Sequence, residues 1–200
     1  MMPPVKPPHG VQELLFPDDF RDFPFSTSAS ARTFYGAAIE EIACAILKLN
    51  PMETDARYKT CYDAERNGRF YEIKSVKRTG GCIIFKKRLD NDAEANVPLS
   101  YVFVSHNVSG ARSNRQLWTE LSKIPLVIWI VPFYVVQSLC ATLPIRKHYT
   151  SPDHGAMRYG YEKGYHVLPL SRLCDLPRKS RHEDRRIYDF NFRSDIHELF

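Results

Sequence analysis

Asp63, Glu72 and Lys74 are the residues of this chain whose types and spacing best suit chemistry on a phosphate group. They lie in the stretch YDAERNGRFYEIKSVK, where Asp63 stands nine positions before Glu72 and Lys74 stands two positions after it. Two carboxylates provide the hard oxygen ligands with which proteins hold Mg²⁺ alongside several retained waters. A lysine beside them can orient or deprotonate a metal-bound water and stabilise negative charge on a phosphate. The three side chains can act together only if the chain brings them to one place.

A tight turn at Asn67-Gly68 would bring them together. Asn-Gly between two strand-like runs is the strongest short-range signal for a two-residue hairpin, because both turn residues need positive φ. If the residues flanking this turn pair with each other, opposed positions sum to 135, and Asp63 lies opposite Glu72. Alternation along the second strand then puts Lys74 on the same face as Glu72. Opposed Cβ atoms are about 4.5 to 5.5 Å apart, so the three charged groups are predicted to converge.

Two interpretations of this predicted cluster remain open from the residues alone. Like charges directly opposite each other destabilise a sheet, so the two carboxylates need compensation. A divalent cation would supply it and would make the cluster a catalytic site. Alternatively, Lys74 only screens Asp63 and Glu72, as in a surface salt-bridge cluster of little energy.

A helix is predicted to precede the hairpin, over residues 31–49. Its apolar residues recur at spacings of three and four, and Asn50-Pro51 ends the pattern. Of the two acidic residues inside it, Glu40 lies next to the apolar stripe, whereas Glu41 points nearer the outside.

The remaining elements predict the fold class. One further helix of about three turns fits the stretch SNRQLWTELSK. The order of helix, hairpin, strand, helix and strand predicts an α/β fold, and the apolar run LVIWIV is typical of a strand buried on both faces. The strand-like runs are RYKTCYD, RFYEIKSVK, CIIF, YVFVSH and LVIWIVPFYVV.

The two ends of the chain differ in character from its middle. Residues 1–30 are predicted to be an N-terminal arm, since four prolines fall in the first ten positions. Residues 31–176 form the predicted main domain, and after position 140 the mixture of Gly, Pro, Tyr and His predicts a loop-rich excursion. Residues 177–200 are a densely charged tail, interpreted as one exposed helix or an interaction segment.

Composition excludes several classes of protein. With 200 residues, 44% hydrophobic and 26% charged, the chain is typical of a globular domain. No apolar run approaches the roughly 18 residues of a membrane span, and the start has no signal-peptide core, which predicts a cytoplasmic protein without a membrane partner. The five cysteines are isolated from one another, so we expect free, mostly buried thiols and no structural zinc.

The distribution of charge points to a polyanionic partner such as DNA. Eight basic residues and a single acid, Glu72, lie between positions 66 and 88, although the net charge of the whole chain is only +5. A solvated basic face is the alternative interpretation. Histidines 148, 154 and 166 fit no common metal-binding spacing. The candidate DNA contacts are Lys77, Arg78, Asn114, Arg115, Arg146, Lys147 and Arg158.

The pattern of acids and lysine resembles the PD-(D/E)xK nuclease superfamily, to which many type II restriction endonucleases belong. Asp63 matches the first acid of that motif, Glu72 the second and Lys74 its lysine, and Glu40 looks like the glutamate contributed by a preceding helix. The resemblance covers roughly residues 31–136. One departure is Tyr62, which stands where the motif carries proline.

This resemblance implies a restriction-endonuclease-like core, with a central mixed β-sheet flanked by helices. It implies a Mg²⁺-dependent DNA endonuclease, in which Mn²⁺ can substitute, working as a homodimer. Asp63, Glu72, the main-chain carbonyl of Ile73 and Glu40 would hold the metal, and Lys74 would position or activate the attacking water. Two alternatives are a repair, recombination or phage nuclease of the same superfamily and a nucleic-acid-binding module that has lost the chemistry.

Overall fold

A computed structural model of the chain describes residues 28–52, 62–77, 80–106, 112–123, 127–147, 164–176 and 186–189. In these ranges the protein has an α/β fold with a mixed central sheet flanked by helices, as the order of elements predicted. None of the helices in the same ranges is long and apolar enough to cross a membrane.

Strands and helices follow one another along the described part of the chain. The strands are β1 (Asn50–Pro51), β2 (Ala64–Arg66), β3 (Arg69–Lys77), β4 (Gly81–Phe85), β5 (Leu99–His106), β6 (Val127–Pro132), β7 (Tyr165–Pro169) and β8 (Arg186–Asp189). The helices are α1 (Ser28–Leu47), α2 (Lys86–Ala95), α3 (Asn114–Lys123), α4 (Phe133–Ala141) and α5 (Leu170–Cys174).

Helix α1 confirms the predicted first helix, with shifted ends. It begins at Ser28 and ends at Leu47, because Lys48 has a φ of 53°, in the left-handed region. The Leu49 N–H then donates to the Cys44 carbonyl at 2.9 Å, which satisfies a carbonyl of the last turn. The helix therefore stops before the Asn-Pro pair that was expected to end it, and that pair forms β1.

The hairpin between β2 and β3 has the predicted turn and register. Asn67 and Gly68 have φ angles of 53° and 74°, so both turn residues are left-handed. Ala64 pairs with Tyr71 across the two strands. One position earlier, the Asp63 N–H donates to the Tyr71 carbonyl at 3.0 Å. The predicted register thus holds for the three pairs of β2, but it is wrong for Asp63, whose N–H bonds to Tyr71, the residue before Glu72.

The central sheet has the strand order β1-β2-β3-β5-β6-β8. Strand β2 is antiparallel to both of its neighbours, β1 and β3. Strands β3 and β5 are parallel, β5 and β6 are antiparallel, and β6 and β8 are parallel. Helix α2 lies in the connection between the parallel strands β3 and β5, as such a crossover requires. Every residue of β5 is buried, which confirms it as a central strand.

Two hydrophobic clusters cover opposite faces of this sheet. On the face covered by α1, here called the α1 face, Ile73 and Val102 pack with the helix. On the other face, here called the α2 face, Val76 packs in a cluster with residues of α2, α4, β4 and β7. Side chains alternate along β3, so Glu72 and Lys74 share the α2 face with Val76, as predicted.

The predicted strand over LVIWIVPFYVV is wrong beyond Pro132. Proline has no N–H for the sheet ladder, and the chain turns there from β6 into the helix α4. Val136 and Cys140, one helical turn apart, are the buried residues of this helix. The stretch is apolar throughout, and such a run does not distinguish a strand from a buried helix by periodicity.

The predicted loop-rich excursion after position 140 is wrong for its last part. Strand β7 pairs antiparallel with β4, and together they form a separate two-stranded ribbon. His166 and Leu168 are buried and their neighbours are partly exposed, so the segment does alternate. A histidine in an inward position hid that alternation from a search for apolar residues. Residues 148–163 of the excursion lie outside the described ranges.

The charged tail contributes to the central sheet. Residues Arg186–Asp189 form β8, parallel to β6, so this part of the tail is not the exposed helix that was one interpretation. The sheet of the main domain thus extends beyond position 176. The other tail residues, 177–185 and 190–200, and most of the predicted arm, 1–27, lie outside the described ranges.

The described cysteines are free thiols. Cys44, Cys82 and Cys140 are buried, as predicted, whereas Cys174 is exposed, and Cys61 lies outside the described ranges. Burial raises the pKa of Cys82 to about 12 and that of Cys140 to about 11. Both thiols stay protonated at neutral pH, which makes them poor nucleophiles.

Candidate active site

Glu72 is the centre of the candidate site. It is only 6% exposed, on the α2 face of the middle of β3. Its Oε1 accepts a hydrogen bond from Lys74 Nζ, two positions along the same strand. Its Oε2 accepts a second one from Arg88 Nη2, on helix α2, at 2.5 Å. Each oxygen of this buried carboxylate therefore has a cationic partner.

Asp63 lies where β2 and β3 stop pairing. The ladder ends at Ala64, but β3 continues, and the Ile73 N–H there donates to Asp63 Oδ2 at 2.7 Å. The side chain thus takes the place of a strand partner, which gives Asp63 a structural role. It also holds the carboxylate against the backbone segment that carries Glu72 and Lys74.

Lys74 is influenced by both carboxylates. Its side chain is 29% exposed. Burial by itself would lower the pKa of Lys74, but the negative charges of Glu72 and then Asp63 outweigh it, and the pKa is raised above the ordinary 10.5. Lys74 is consequently protonated at neutral pH. Its ammonium group marks a place where two carboxylates together stabilise a cation.

The raised pKa of Lys74 predicts a specific loss of stability in alkaline solution. A lysine with a pKa higher in the folded than in the unfolded protein stabilises the fold fully below the unfolded value near 10.5. That contribution is lost as the pH rises through the folded pKa. We expect the free energy of unfolding of the wild type to fall more steeply above pH ~10 than that of Lys74→Met. Urea unfolding of both proteins across this range would measure it, and parallel curves would contradict it.

Arg88 connects Glu72 to a second buried acid. Its Nε lies 3.0 Å from Asp92 Oδ1, one turn further along α2. Asp92 Oδ2 also accepts the hydroxyl hydrogen bond of Tyr101, at 2.7 Å, from strand β5. The Arg88 guanidinium lies over the ring of Tyr62, 5.3 Å from its centre. Five side chains from four segments of the chain thus form one polar network on the α2 face.

Burial changes the acidity of this network. It raises the pKa of Asp92, against the opposing effects of the Tyr101 hydrogen bond and the Arg88 charge. Burial also raises the pKa of Tyr101, and the negative charges of Asp92 and Glu72 add to the effect. Tyr101 therefore stays a neutral hydrogen-bond donor at all physiological pH values.

The sequence indicated neither helix α2 nor the roles of Arg88, Asp92 and Tyr101. Leu89 and Asp92 are the buried residues of α2, so its buried side is half polar and shows no apolar period. The spacing of Arg88 and Asp92 by four positions was a usable signal, because such pairs meet on a helix. Tyr101 lies beside Glu72 only through the parallel register of β3 and β5, which has no local signal.

The donor set suits a hard cation in one mode of binding. Within the part of the chain that the structure describes, no three His, Cys, Asp or Glu side chains are grouped to hold a metal ion. Mg²⁺ does not require such a group, since one or two carboxylates with waters and substrate phosphates are its usual ligands. Asp63 and Glu72 act on the same ammonium group, and their binding of a cation together with the main-chain carbonyl of Ile73 stays a prediction.

Glu40 lies on a helix that packs on the other side of the sheet. Helix α1 covers the α1 face, whereas Glu72 points from the α2 face towards Arg88. Glu40 and Glu41 are both partly buried, so exposure does not separate them as the sequence suggested. The assignment of Glu40 to the metal site stays a prediction.

The candidate DNA contacts divide between the two faces. Arg115 is exposed on α3, which packs through Leu117 on the α1 face, away from Glu72. Arg146 and Lys147 are exposed beside the β4-β7 ribbon, where Arg146 bridges Tyr165 through the backbone. This ribbon packs on the α2 face, so the second group lies on the side of the site.

The other predicted contacts are less fully described. Lys77 ends β3 and Asn114 begins α3, and their side chains lie outside the described part. Arg78 and Arg158 lie outside it altogether, as do two of the three histidines. The third, His166, is buried with its Nδ1 3.2 Å from the Leu143 carbonyl.

Comparison with known proteins does not add to this geometry. No protein-family model, curated protein or solved structure matches the chain.

Proposed function

We propose that this protein is a Mg²⁺-dependent DNA endonuclease that hydrolyses phosphodiester bonds with Asp63, Glu72 and Lys74. One observation carries the proposal: Lys74 is bonded to Glu72 on the same strand, and the charge of Asp63, immediately before β2, acts on the same ammonium group where the pairing of β2 with β3 ends. This arrangement corresponds to the acid, acid-x-lysine pattern of the PD-(D/E)xK nucleases. The strand order and the helix before the hairpin are compatible with that family's core.

In this proposal Asp63, Glu72 and the Ile73 carbonyl hold the cation, whereas Glu40, whose helix covers the opposite face of the sheet, has no part in it. A bound Mg²⁺ would polarise the phosphate and lower the pKa of a bound water. The protein supplies oriented ligands, since the Ile73 N–H fixes Asp63 and the Arg88 guanidinium fixes Glu72. Pre-arranged charges of this kind act without reorganisation during the reaction.

Lys74 acts in this proposal as a charged donor. Glu72 and Asp63 raise its pKa, so without a cation on these carboxylates it carries a proton at neutral pH. In that state its ammonium group can orient the attacking water and stabilise the charge that develops on the phosphate. Proton abstraction, the other role expected from the sequence, would require the bound cation to offset the two carboxylates and lower the pKa of Lys74.

DNA is the proposed substrate because exposed basic residues lie on the same side of the sheet as the site. Arg146 and Lys147 lie on the α2-face side and would contact phosphates of the backbone, which gives affinity without sequence specificity. A restriction enzyme cutting both strands of a duplex would act as a homodimer, with one site for each antiparallel strand.

Incubation with plasmid and long linear DNA tests the proposal. We expect cleavage with Mg²⁺ or Mn²⁺, no cleavage with EDTA, and at least about 10²-fold slower cleavage by Asp63→Asn and Glu72→Gln. Discrete bands would favour a restriction enzyme, whereas degradation from ends or cutting only at forks and junctions would favour the repair-type alternative. Cleavage that is unchanged in both variants would contradict the proposed site.

A second candidate function is DNA binding without hydrolysis. It is favoured by the state of Glu72, whose two oxygens are both engaged by cations of the protein itself. Such a module would bind duplex DNA in a mobility-shift assay and leave it intact at every Mg²⁺ concentration. Its DNA binding would also be insensitive to Lys74→Ala.

A further inference from the structure

The two oxygens of Glu72 differ in how firmly their partners are held. Lys74, the partner of Oε1, extends from the same strand, and its side chain is 29% exposed. Arg88, the partner of Oε2, is 19% exposed and comes from another element, helix α2. The partner of Oε1 is thus the more exposed of the two and belongs to the same strand, whereas the partner of Oε2 is less exposed and belongs to a separate helix.

Arg88 is fixed by several other groups besides Glu72. Asp92 binds its Nε at 3.0 Å, and the side chain of Asp92 is only 2% exposed. The ring of Tyr62 lies against the guanidinium plane, 5.3 Å from centre to Cζ. An arginine with a carboxylate at each end of its planar fork and an aromatic ring beside it has few rotamers left.

The polar network also connects helix α2 to the strand beside Glu72. Asp92 accepts the Tyr101 hydroxyl at 2.7 Å, and Tyr101 is the residue paired with Glu72 across β3 and β5. The path from Glu72 through Arg88, Asp92 and Tyr101 therefore returns to the strand beside Glu72. Helix α2 cannot shift along the sheet without breaking one of these contacts.

We propose that Arg88 is a positioning residue, which occupies Oε2 of Glu72 and leaves Oε1, the oxygen that Lys74 also binds, as the one for the cation. This inference rests on the proposed function. A carboxylate held in this way can give only one oxygen to a metal, and its direction is set by α2. Asp92 and Tyr101 act through Arg88, by holding its guanidinium in place.

Lysine could not replace Arg88 in this role. Its ammonium group is a point charge without a planar fork, so it cannot bind Glu72 and Asp92 in the same geometry. The variant Arg88→Lys keeps the positive charge and loses the planar arrangement of donors that binds Glu72 and Asp92 together. The variant Asp92→Asn leaves Arg88 and Glu72 unchanged and removes the carboxylate that anchors the guanidinium, while its amide oxygen can still accept from Tyr101.

Calorimetric titration of the full chain with Mn²⁺, without DNA, tests the role of Arg88. We expect Arg88→Lys to bind Mn²⁺ about 10- to 100-fold more weakly than the wild type, as is usual for residues that orient a metal ligand. Asp92→Asn should weaken binding in the same direction. The matched control is Asp90→Asn, because Asp90 also pairs with a cation four positions away on α2, but at a more exposed site. It should change the affinity less than about twofold.

The outcomes separate this inference from the proposed function. Wild-type affinity in either Arg88→Lys or Asp92→Asn overturns the positioning role and leaves the nuclease proposal standing. Tighter binding by Arg88→Lys overturns it too, because Arg88 would then compete with the metal. A wild type that neither binds Mn²⁺ nor cleaves DNA overturns both proposals. If thermal melting shows that Arg88→Lys does not fold, Asp92→Asn decides.

Discussion

Replacing Lys74 by alanine is expected to slow DNA cleavage by about 10²- to 10⁴-fold, the range found when one catalytic donor or proton-transfer group is removed. Lys74 supplies a positive charge on which both carboxylates of the proposed site act. Without it, nothing orients the attacking water from that side or opposes the charge that develops on the phosphate. Cleavage of supercoiled plasmid under single-turnover conditions measures this rate directly.

Lys86→Ala is the matched control for this substitution. Lys86 is also paired with an acid, Asp90, at 2.9 Å, but its side chain is 39% exposed at the start of α2. We expect its cleavage rate to stay within about twofold of the wild type. The affinity of Lys74→Ala for DNA in EDTA should be close to that of the wild type, because one lysine supplies only a small part of the protein's electrostatic contact with the DNA backbone. Cleavage by Lys74→Ala at the wild-type rate would contradict the proposed role of Lys74 in the mechanism.

Replacing Arg88 by methionine is expected to lower the free energy of unfolding by about 3–5 kcal/mol at neutral pH. Methionine fills much of the same volume, but it leaves Asp92 without its cation and Glu72 with only one. Unpaired buried charges are far more costly than a buried ion pair is stabilising. Urea unfolding measures the change, with Arg115→Met on the exposed side of α3 as the control, expected within about 0.5 kcal/mol.

The deficit of Arg88→Met should shrink in acid. Burial already raises the pKa of Asp92 in the wild type, and the charge of Arg88 opposes that rise. In the variant this opposition is gone, so the folded protein takes up a proton on Asp92 more readily than the unfolded chain does. A carboxyl group with a raised folded pKa costs stability above that pKa, and this cost disappears as the pH falls towards the unfolded value near 3.8. A difference between variant and wild type that is constant from pH 7 to ~4.5 would contradict this explanation.

The local parts of the candidate site could be predicted because their signals are short. Asn67-Gly68 sets the hairpin register through two φ angles, and alternation along β3 then places Glu72 and Lys74 on one face. Helix α1 was predictable because its buried residues repeat at helical spacing. These features depend on residues fewer than about ten positions apart, where backbone geometry decides which side chains meet.

The predictions failed where the buried positions are not simply apolar. The run after Pro132 is apolar at every position up to Val136, so its sequence does not distinguish a strand from a helix. It is a helix that packs against the α2 face. Strand β7 and helix α2 carry His166 and Asp92 in inward positions, which broke the expected periods. Pairing of β4 with β7 joins residues 80 to 88 positions apart, for which the chain has no local signal.

The sequence by itself determined the two acids, the lysine on the same face as Glu72, and the turn that sets the register of the hairpin, because those depend on one hairpin. Only the tertiary structure decided what surrounds Glu72. Arg88 reaches it from a helix 16 positions away in sequence, and Tyr101 from a strand 29 positions away. Both contacts follow from the crossover that packs α2 on the sheet beside the parallel strand β5, since packing between separated segments is chosen by the whole core.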